Sequence, residues 1–298
     1  MTRTLLLVGG TGKIGSALVE LLRPAASTGQ LSVRIATRTP ERCAALMGPG
    51  IHARRLPEDP FDRSALREAL EGCNGLFLLT GYTVDMLAQS KRLLDAAQLA
   101  GVDQVVHVGV HGRPDTFVPH IGWHQYIERY IEHLGFSWTH LNPNWYLQNL
   151  LRFTVHEANG SLRVRNYLPA GLPLSWIDVR DVAAVAAEVL RNPESHAACT
   201  YPLASLSMCF ADVASALGSA LEVDCRYEEI DSATFRSQRA KPGRDRKYEE
   251  SILVYYEAVR AGLIPECAEV FDVATLLKRA PFSVCDFALL NSHALLQR

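Results

Sequence analysis

No stretch of this 298-residue chain approaches the roughly 20 consecutive apolar residues that a membrane-spanning helix needs. Nor is either sign of charge in excess, since 30 Lys and Arg stand against 32 Asp and Glu for a formal net charge of -2. The electrostatic attraction of a basic surface for nucleic acid or anionic lipid is therefore missing, and neither partner is expected. Cysteine number is odd, at seven, and no two cysteines form a CxxC pair. That excludes a disulfide framework and the usual zinc spacings, so the cysteines read as reduced thiols and no metal is expected. Internal repeats and low-complexity tracts are absent as well. Met-Thr-Arg leads directly into a four-residue apolar run, without the longer apolar segment and small-residue cleavage site of a signal peptide, so the expected location is cytoplasmic. What remains is an ordinary globular composition, 48% hydrophobic and 21% charged, with enough chain for one large α/β domain or a nucleotide domain with a smaller appended part.

The apolar run at residues 5–8 breaks into Gly-Gly-Thr-Gly-Lys-Ile-Gly and resumes as a helical pattern through Leu18, Val19, Leu21 and Leu22. Strand, tight turn and helix in that order form a dinucleotide site. Gly9 permits the turn, Gly12 lets a phosphate approach bare backbone, and Gly15 lets the helix pack on the strand. A pyrophosphate would sit at the helix N-terminus, beside Thr11, Lys13 and Ile14. Residues 31–38 alternate as a second strand, followed by Pro40 and a short helix. An NAD enzyme usually places Asp or Glu at this strand end to hold the ribose 2′-hydroxyl, whereas Thr37 and Arg38 stand here. A guanidinium there can fork onto a 2′-phosphate and stack on adenine, so the expected cofactor is NADP(H).

The alternation continues with a strand at 51–56, a helix over 62–70 capped by Asp62 or Ser64, a continuous apolar strand at 75–80, a helix over 84–100 and a fifth strand at 102–108. The first helix is expected to end near Pro24. Such a rhythm predicts an α/β fold, a Rossmann-type doubly wound parallel sheet, whose ligands bind outside the carboxyl ends of the strands. Thr80, Gly81 and Tyr82 then share one rim with the glycine turn and Thr37-Arg38, as do residues 109–111. Further on, a helix over 122–133 precedes a strand at 136–141 that Pro143 breaks, with the following aromatics leading into another helix. Beyond Gly160 the rhythm loosens into a short strand at 174–177, a helix over 182–190 with Asp178 and Asp181 at its start, possible strands near 199–203 and 223–227, and a helix over 249–261. The charged run 236–247 reads as a mobile surface loop. The expected organisation is an NADP-binding domain over 1–150 and a smaller, mainly helical substrate-binding part over 151–298, with 174–191 packing back on the first.

Several segments together resemble the NmrA-like family, an atypical branch of the short-chain dehydrogenase/reductases. They are the glycine turn, Ala36-Thr-Arg38, His124-Gln-Tyr-Ile-Glu128, Phe136-Ser-Trp-Thr-His-Leu-Asn-Pro143-Asn and Trp176-Ile-Asp-Val-Arg-Asp181. The resemblance covers residues 3–190 and is most similar to fungal ergot-alkaloid reductases acting on iminium species, triphenylmethane reductase and quinone reductases. NmrA itself, a cofactor-binding regulator, also belongs to the branch. The Tyr-x-x-x-Lys pair of standard short-chain dehydrogenases is absent, because Tyr126 is followed four residues later by Tyr130, with Arg129 off-register. The usual serine after the fifth strand is replaced by Gly109-Val-His111. By the resemblance, His124 occupies the active-site position of the helix over 122–133 and Glu128, one turn on, could hold it. The resemblance also places Pro143 near the nicotinamide. The substrate wall it implies comprises Tyr82, His111, Trp123, Asn144, Trp145, Tyr146 and Asn149, with Tyr255 and Tyr256 as candidates to close it.

Hydride transfer to an iminium carbon neutralises a charge already present and needs no strong acid, whereas a neutral ketone needs a donor to the developing alkoxide. The missing pair thus points to an NAD(P)H-dependent reductase of a small aromatic or heterocyclic metabolite, an imine or iminium, a conjugated acceptor or a quinone, of the kind met in secondary metabolism. Such an enzyme would act on small molecules as a monomer or homodimer. The alternatives are an NADP(H)-sensing regulatory protein without turnover and a non-redox isomerase.

Overall fold

The computed structural model describes residues 2–57, 59, 62–240 and 242–297. Its first strand, β1 (Arg3–Val8), carries Leu5, Leu6 and Leu7 in succession with no exposed surface, as a strand covered on both faces requires. Helix α1 (Lys13–Ser27) follows, then β2 (Leu31–Thr37), β3 (Ile51–Arg55), α2 (Arg63–Leu70), β4 (Gly75–Leu79), α3 (Met86–Leu99), β5 (Gln104–Val108), α4 (Pro119–His133) and β6 (Ser137–Pro143). Asp62 caps α2 by accepting from the Ser64 and Ala65 amides. The remainder of the chain adds β7 (Trp145–Tyr146), α5 (Leu150–Phe153), β8 (Thr154–His156), β9 (Leu162–Asn166), β10 (Leu174–Ile177), α6 (Val179–Arg191) and β11 (Cys199–Leu203). Last come β12 (Leu206–Met208), α7 (Phe210–Leu221), β13 (Cys225–Glu229), α8 (Ser232–Arg239), α9 (Arg246–Arg260), α10 (Val273–Leu277), α11 (Val284–Leu290) and α12 (Ser292–Leu296).

The central sheet has the order β11-β6-β5-β4-β1-β2-β3, and the pairs from β3 through β6 are parallel. Its order reverses between β1 and β4, the switch point at which doubly wound sheets open a crevice beyond their carboxyl ends. The chain divides into two compact units, the first comprising residues up to Val110, Ile121–Asn142 and Val182–Tyr201, the second His111–His120, Pro143–Asp181 and Pro202–Arg298. An interleaved division therefore replaces the single boundary expected at residue 150. The chain leaves the sheet repeatedly at strand ends instead of once.

The second unit is mainly helical, as expected, with α7, α8, α9, α10, α11 and α12, and it also holds two three-stranded sheets, β12-β10-β7 and β13-β9-β8. Trp176, Phe210 and Phe287 are fully buried in it, with Trp145 and Tyr256 nearly so. The aromatics after Pro143 form β7 and a 3-10 turn before the four-residue α5, where a helix was expected to begin. Other local expectations shift for identifiable reasons. Pro24 lies inside α1, since it forfeits a single helical hydrogen bond near the end and the Ser27 hydroxyl donates to its carbonyl. The helix after Pro40 is a 3-10 helix, Pro40–Leu46. Strand β6 runs through Pro143, which lies beyond the β5 ladder that ends at Leu141 and so removes no bond from it. The run 236–247, expected as a loop, is helical up to Arg239 and again from Arg246, while Lys241 lies outside the described residues. Two short contacts, from Arg239 to Glu249 at 2.6 Å and from Arg244 to Glu249 at 3.2 Å, fasten the connection to α9.

Candidate functional site

The turn after β1 is built by close contact. Gly9 has φ +82°, and a Cβ there would meet the Leu79 Cβ at 2.9 Å. A Cβ on Gly15 would fall 2.2 Å from the Gly9 carbonyl oxygen and 2.5 Å from Gly10 Cα, so only glycine lets α1 come this near the turn. Gly12 is the N-cap of α1 and donates its amide to the Gly9 carbonyl at 3.0 Å. No capping side chain accepts from the first amides of this 15-residue helix, which leaves that end suited to an anion. Ile14 points into the core, whereas Lys13 is exposed.

Beside the turn lies a cavity of about 360 Å³ within the first unit. It brings together Gly9, Thr11, Thr37, Arg38, Thr80 and Gly81, six of the residues expected to hold the cofactor, while Gly12, Lys13, Ile14 and Gly15 are not part of its lining. The lining also includes Leu56, Met86, Gln89 and Ser90, which the sequence reading missed. The last three belong to the first turns of α3, and nothing in the local pattern distinguishes them from other helix residues. Among the described residues, no carboxylate lines the cavity at the end of β2. The nearby Glu41 pairs with Arg55 at 3.2 Å, and Arg55 also donates to the Arg38 carbonyl at 3.0 Å.

A second group of polar side chains is buried in the same unit. His124 and Glu128 come from α4, His107 from β5, and His140 and Asn142 from β6, with His124 and Asn142 each 8% exposed and the others less. His124 Nδ1 and His107 Nε2 lie 3.4 Å apart. The Glu128 carboxylate, one helical turn on from His124, accepts from Asn142 Nδ2 at 2.9 Å. Burial pushes the Glu128 carboxyl up to about 7, against a smaller opposing effect of the Asn142 hydrogen bond. Burial likewise lowers His140 to about 3 and His107 well below the usual imidazole value, so both rings are neutral near pH 7. The same pair explains the missing serine after β5. A Cβ at Gly109 would stand 2.6 Å from Asn142 Oδ1 and 2.9 Å from Glu128 Oε1, so the space of any side chain there is already filled.

The remaining expected residues are distributed between the units. In the first, Tyr82 is 77% exposed and Trp123 is half-buried. In the second, His111 Nε2 lies 3.1 Å from Glu269 Oε2, and the His111 amide donates to the Pro143 carbonyl at 3.1 Å. Asn144 Nδ2 donates to Ser175 Oγ at 2.8 Å and to the Glu266 carbonyl at 3.1 Å. Tyr146 and Asn149 are half-buried. Trp145 does not offer the open face expected of it. Pairing of β7 with β10 places it against Trp176, with ring centroids 5.6 Å apart, and its indole N–H donates to the Tyr255 hydroxyl at 2.9 Å. Tyr256 is similarly buried at 5% exposure, so packing accounts for both rings. Asp178 and Asp181 are fully buried and structural, the first forking onto Arg180 and the second accepting from the Phe282 amide and pairing with Arg279 at 2.8 Å.

The sequence profile of the NmrA-like family matches residues 1–259. The chain is similar to the NAD(P)H azoreductase of Xenophilus azovorans, with 32% identity over 230 residues that span 76% of this chain and 77% of that protein. In three dimensions it is similar to the triphenylmethane reductase of Citrobacter sp. solved with NADP(H), at a TM-score of 0.79 and 19% identity over 97% of this chain and 99% of that one. The NADPH-dependent quinone oxidoreductase of Escherichia coli solved with NADPH gives a TM-score of 0.78 and 20% identity, again over 97% and 99% of the two chains. The two structural likenesses establish a common fold, and the profile, together with the identity to the azoreductase, establishes descent: this chain belongs to the NmrA-like family.

Proposed function

We propose that this protein is an NADPH-dependent oxidoreductase that reduces a small aromatic or heterocyclic acceptor. The observation that carries this reading is the cavity joining the Gly9 turn to Thr37 and Arg38, with no carboxylate among the described residues that line it. Residues present fit the cofactor in three respects. The turn presents backbone without side chains at Gly9, Gly12 and Gly15, the first amides of α1 have no competing side-chain cap, and Arg38 supplies the cation that a 2′-phosphate requires. When bound, the nicotinamide supplies the hydride. The protein has then to hold, orient and exclude water, which is the larger part of the task when the acceptor is already activated.

Names of the relatives support the acceptor class. An azo bond, a cationic triphenylmethane carbon and a quinone are all electron-poor centres within conjugated systems, and none requires the tyrosine-lysine pair that this chain lacks. An iminium carbon belongs to the same class and is the acceptor we favour. His124 is assigned a hydrogen-bonding role toward ligand, and Glu128, 4% exposed and tied to Asn142, a positioning role behind it. In the second unit, His111, Asn144, Tyr146 and Asn149 are the assigned substrate contacts.

NADPH oxidation measured against a panel of cyclic iminium ions, quinones, azo dyes and enones tests the reading. Turnover with at least one class is expected, while tight NADPH binding with no oxidation by any of them would replace the reductase with the regulatory reading. The Arg38→Ala variant should lose about tenfold or more in kcat/KM for NADPH, roughly 1.4 kcal/mol, with NADH little affected. An unchanged NADPH/NADH ratio would remove Arg38 from cofactor selection.

A further inference from the structure

We propose that His107, Glu128 and His140 form a binding site for a divalent transition-metal ion of the zinc class, inside the first unit. The site does not depend on the reductase reading, which uses neither His107 nor His140 and shares with it only Glu128, in a positioning role. Its first support is topological. His107 and His140 are direct register partners on the neighbouring strands β5 and β6, so both rings project from one face of the sheet, and α4 lays Glu128 over that face. One donor atom from each of the three lies within 4.8 Å of the other two. Donors around a tetrahedral ion with bonds of about 2.1 Å stand about 3.4 Å apart, so rotations that move each donor by about 1 Å close the set.

The second support is independent of spacing. Among the described residues, His107 Nδ1 and both ring nitrogens of His140 are buried without a hydrogen-bond partner, although His140 Nε2 faces Glu132 Oε1 at 3.3 Å. Asn142 Oδ1 is likewise unpartnered. Buried polar atoms are costly to leave unpaired, and His107 and His140 each carry an unpartnered ring nitrogen within the group that Glu128 completes. A cation bound by one nitrogen of each ring and by the Glu128 carboxylate compensates one atom of each imidazole, and the His140 Nε2 that faces Glu132 Oε1 at 3.3 Å can then serve as the outer nitrogen of its ring.

The surroundings also have the form of a metal site. Ligating imidazoles usually have their second nitrogen held by a hydrogen bond, and ligating carboxylates are held in turn. Here His107 Nε2 faces His124 Nδ1 at 3.4 Å, leaving Nδ1 as the donor, and Glu128 Oε1 accepts from Asn142 at 2.9 Å. Two imidazoles with one carboxylate favour Zn²⁺, and after it Fe²⁺ or Mn²⁺, over the all-oxygen shells of Ca²⁺ and Mg²⁺. Bridging two strands to the covering helix, the ion would hold α4 against the sheet.

The full-length protein, purified from zinc-supplemented cells and desalted, should carry about one zinc per chain by elemental analysis. After dialysis against a chelator and addition of Co²⁺, it should show the visible ligand-field absorption of a low-symmetry nitrogen and oxygen site. His140→Gln, checked for native circular dichroism, should retain about tenfold less metal and lose the cobalt band, whereas His133→Gln on the exposed end of α4 should change neither. Should the substitution at His140 prevent folding, the cobalt spectrum of the unaltered protein decides by itself. Wild-type protein with no zinc and no cobalt band overturns the proposal, as does metal retained undiminished in a folded His140→Gln variant.

Discussion

Single side chains in this protein are chosen as often by the space around them as by their chemistry. Gly109 is the clearest case, because its missing Cβ is the room that Asn142 Oδ1 and Glu128 Oε1 occupy. Gly109→Ala should therefore destabilise the fold by about 1–3 kcal/mol through overpacking, read as a lower denaturant midpoint at unchanged slope. The serine of standard short-chain dehydrogenases would bring the same Cβ, so Gly109→Ser should behave no better. A stability equal to the parent would mean that the pair can move aside. The absence of that serine was legible in the sequence, but its cause was not, since Gly109, Glu128 and Asn142 meet only once β5, α4 and β6 are assembled. Trp145 shows the converse. Its aromatic character advertised a stacking face, yet the short pairing of β7 with β10 turns it into the core.

At the level of elements, patterns confined to consecutive residues were read correctly. Continuous apolar runs marked β1 and β4, and Asp62 marked the start of α2. Where a segment's state depends on a distant partner, the local pattern misled. The charged run 236–247 has the composition of a solvated loop, but Arg239 and Arg244 both reach Glu249, with the Arg239 and Glu249 side chains only 12% and 15% exposed. Removing one member of a largely buried pair leaves the other charge uncompensated. Allowing for partial solvent access, Glu249→Ala should cost about 2 kcal/mol and speed hydrogen exchange in the turn between α8 and α9. Exchange no faster than in the parent would mark the contacts as incidental.

Stability across pH belongs to the molecule as a whole. His120, in the second unit, is buried at 6% exposure, with its ring Nδ1 2.9 Å from Ser251 Oγ and the Tyr248 and Tyr255 rings nearby. Burial first, and then the Arg239 charge, lowers it from 6.5 to about 4, against a smaller raising effect of Ser251. A histidine that resists protonation in the folded state costs nothing above pH 6.5. As pH falls from 6.5 toward 4, the unfolded chain binds the proton first and folding stability declines, by about 3 kcal/mol at most. Urea unfolding at pH 7 and pH 5 should show this loss, and His120→Gln should flatten the slope. A variant with the parent's pH dependence would assign the loss to other groups.

What the amino-acid sequence determined by itself was the order of strands and helices, the glycine turn and the cation at the end of β2. Each is written in neighbouring residues, where steric limits on the backbone and the period of apolar side chains act directly. Only the tertiary structure decided which polar side chains share an interior. His107, Glu128 and His140 carry no recognisable spacing along the chain, and they meet because β5 and β6 pair in a register that sets the two histidines side by side beneath α4. Strand register is fixed by the burial of whole sheet faces, and that information is spread over the entire chain.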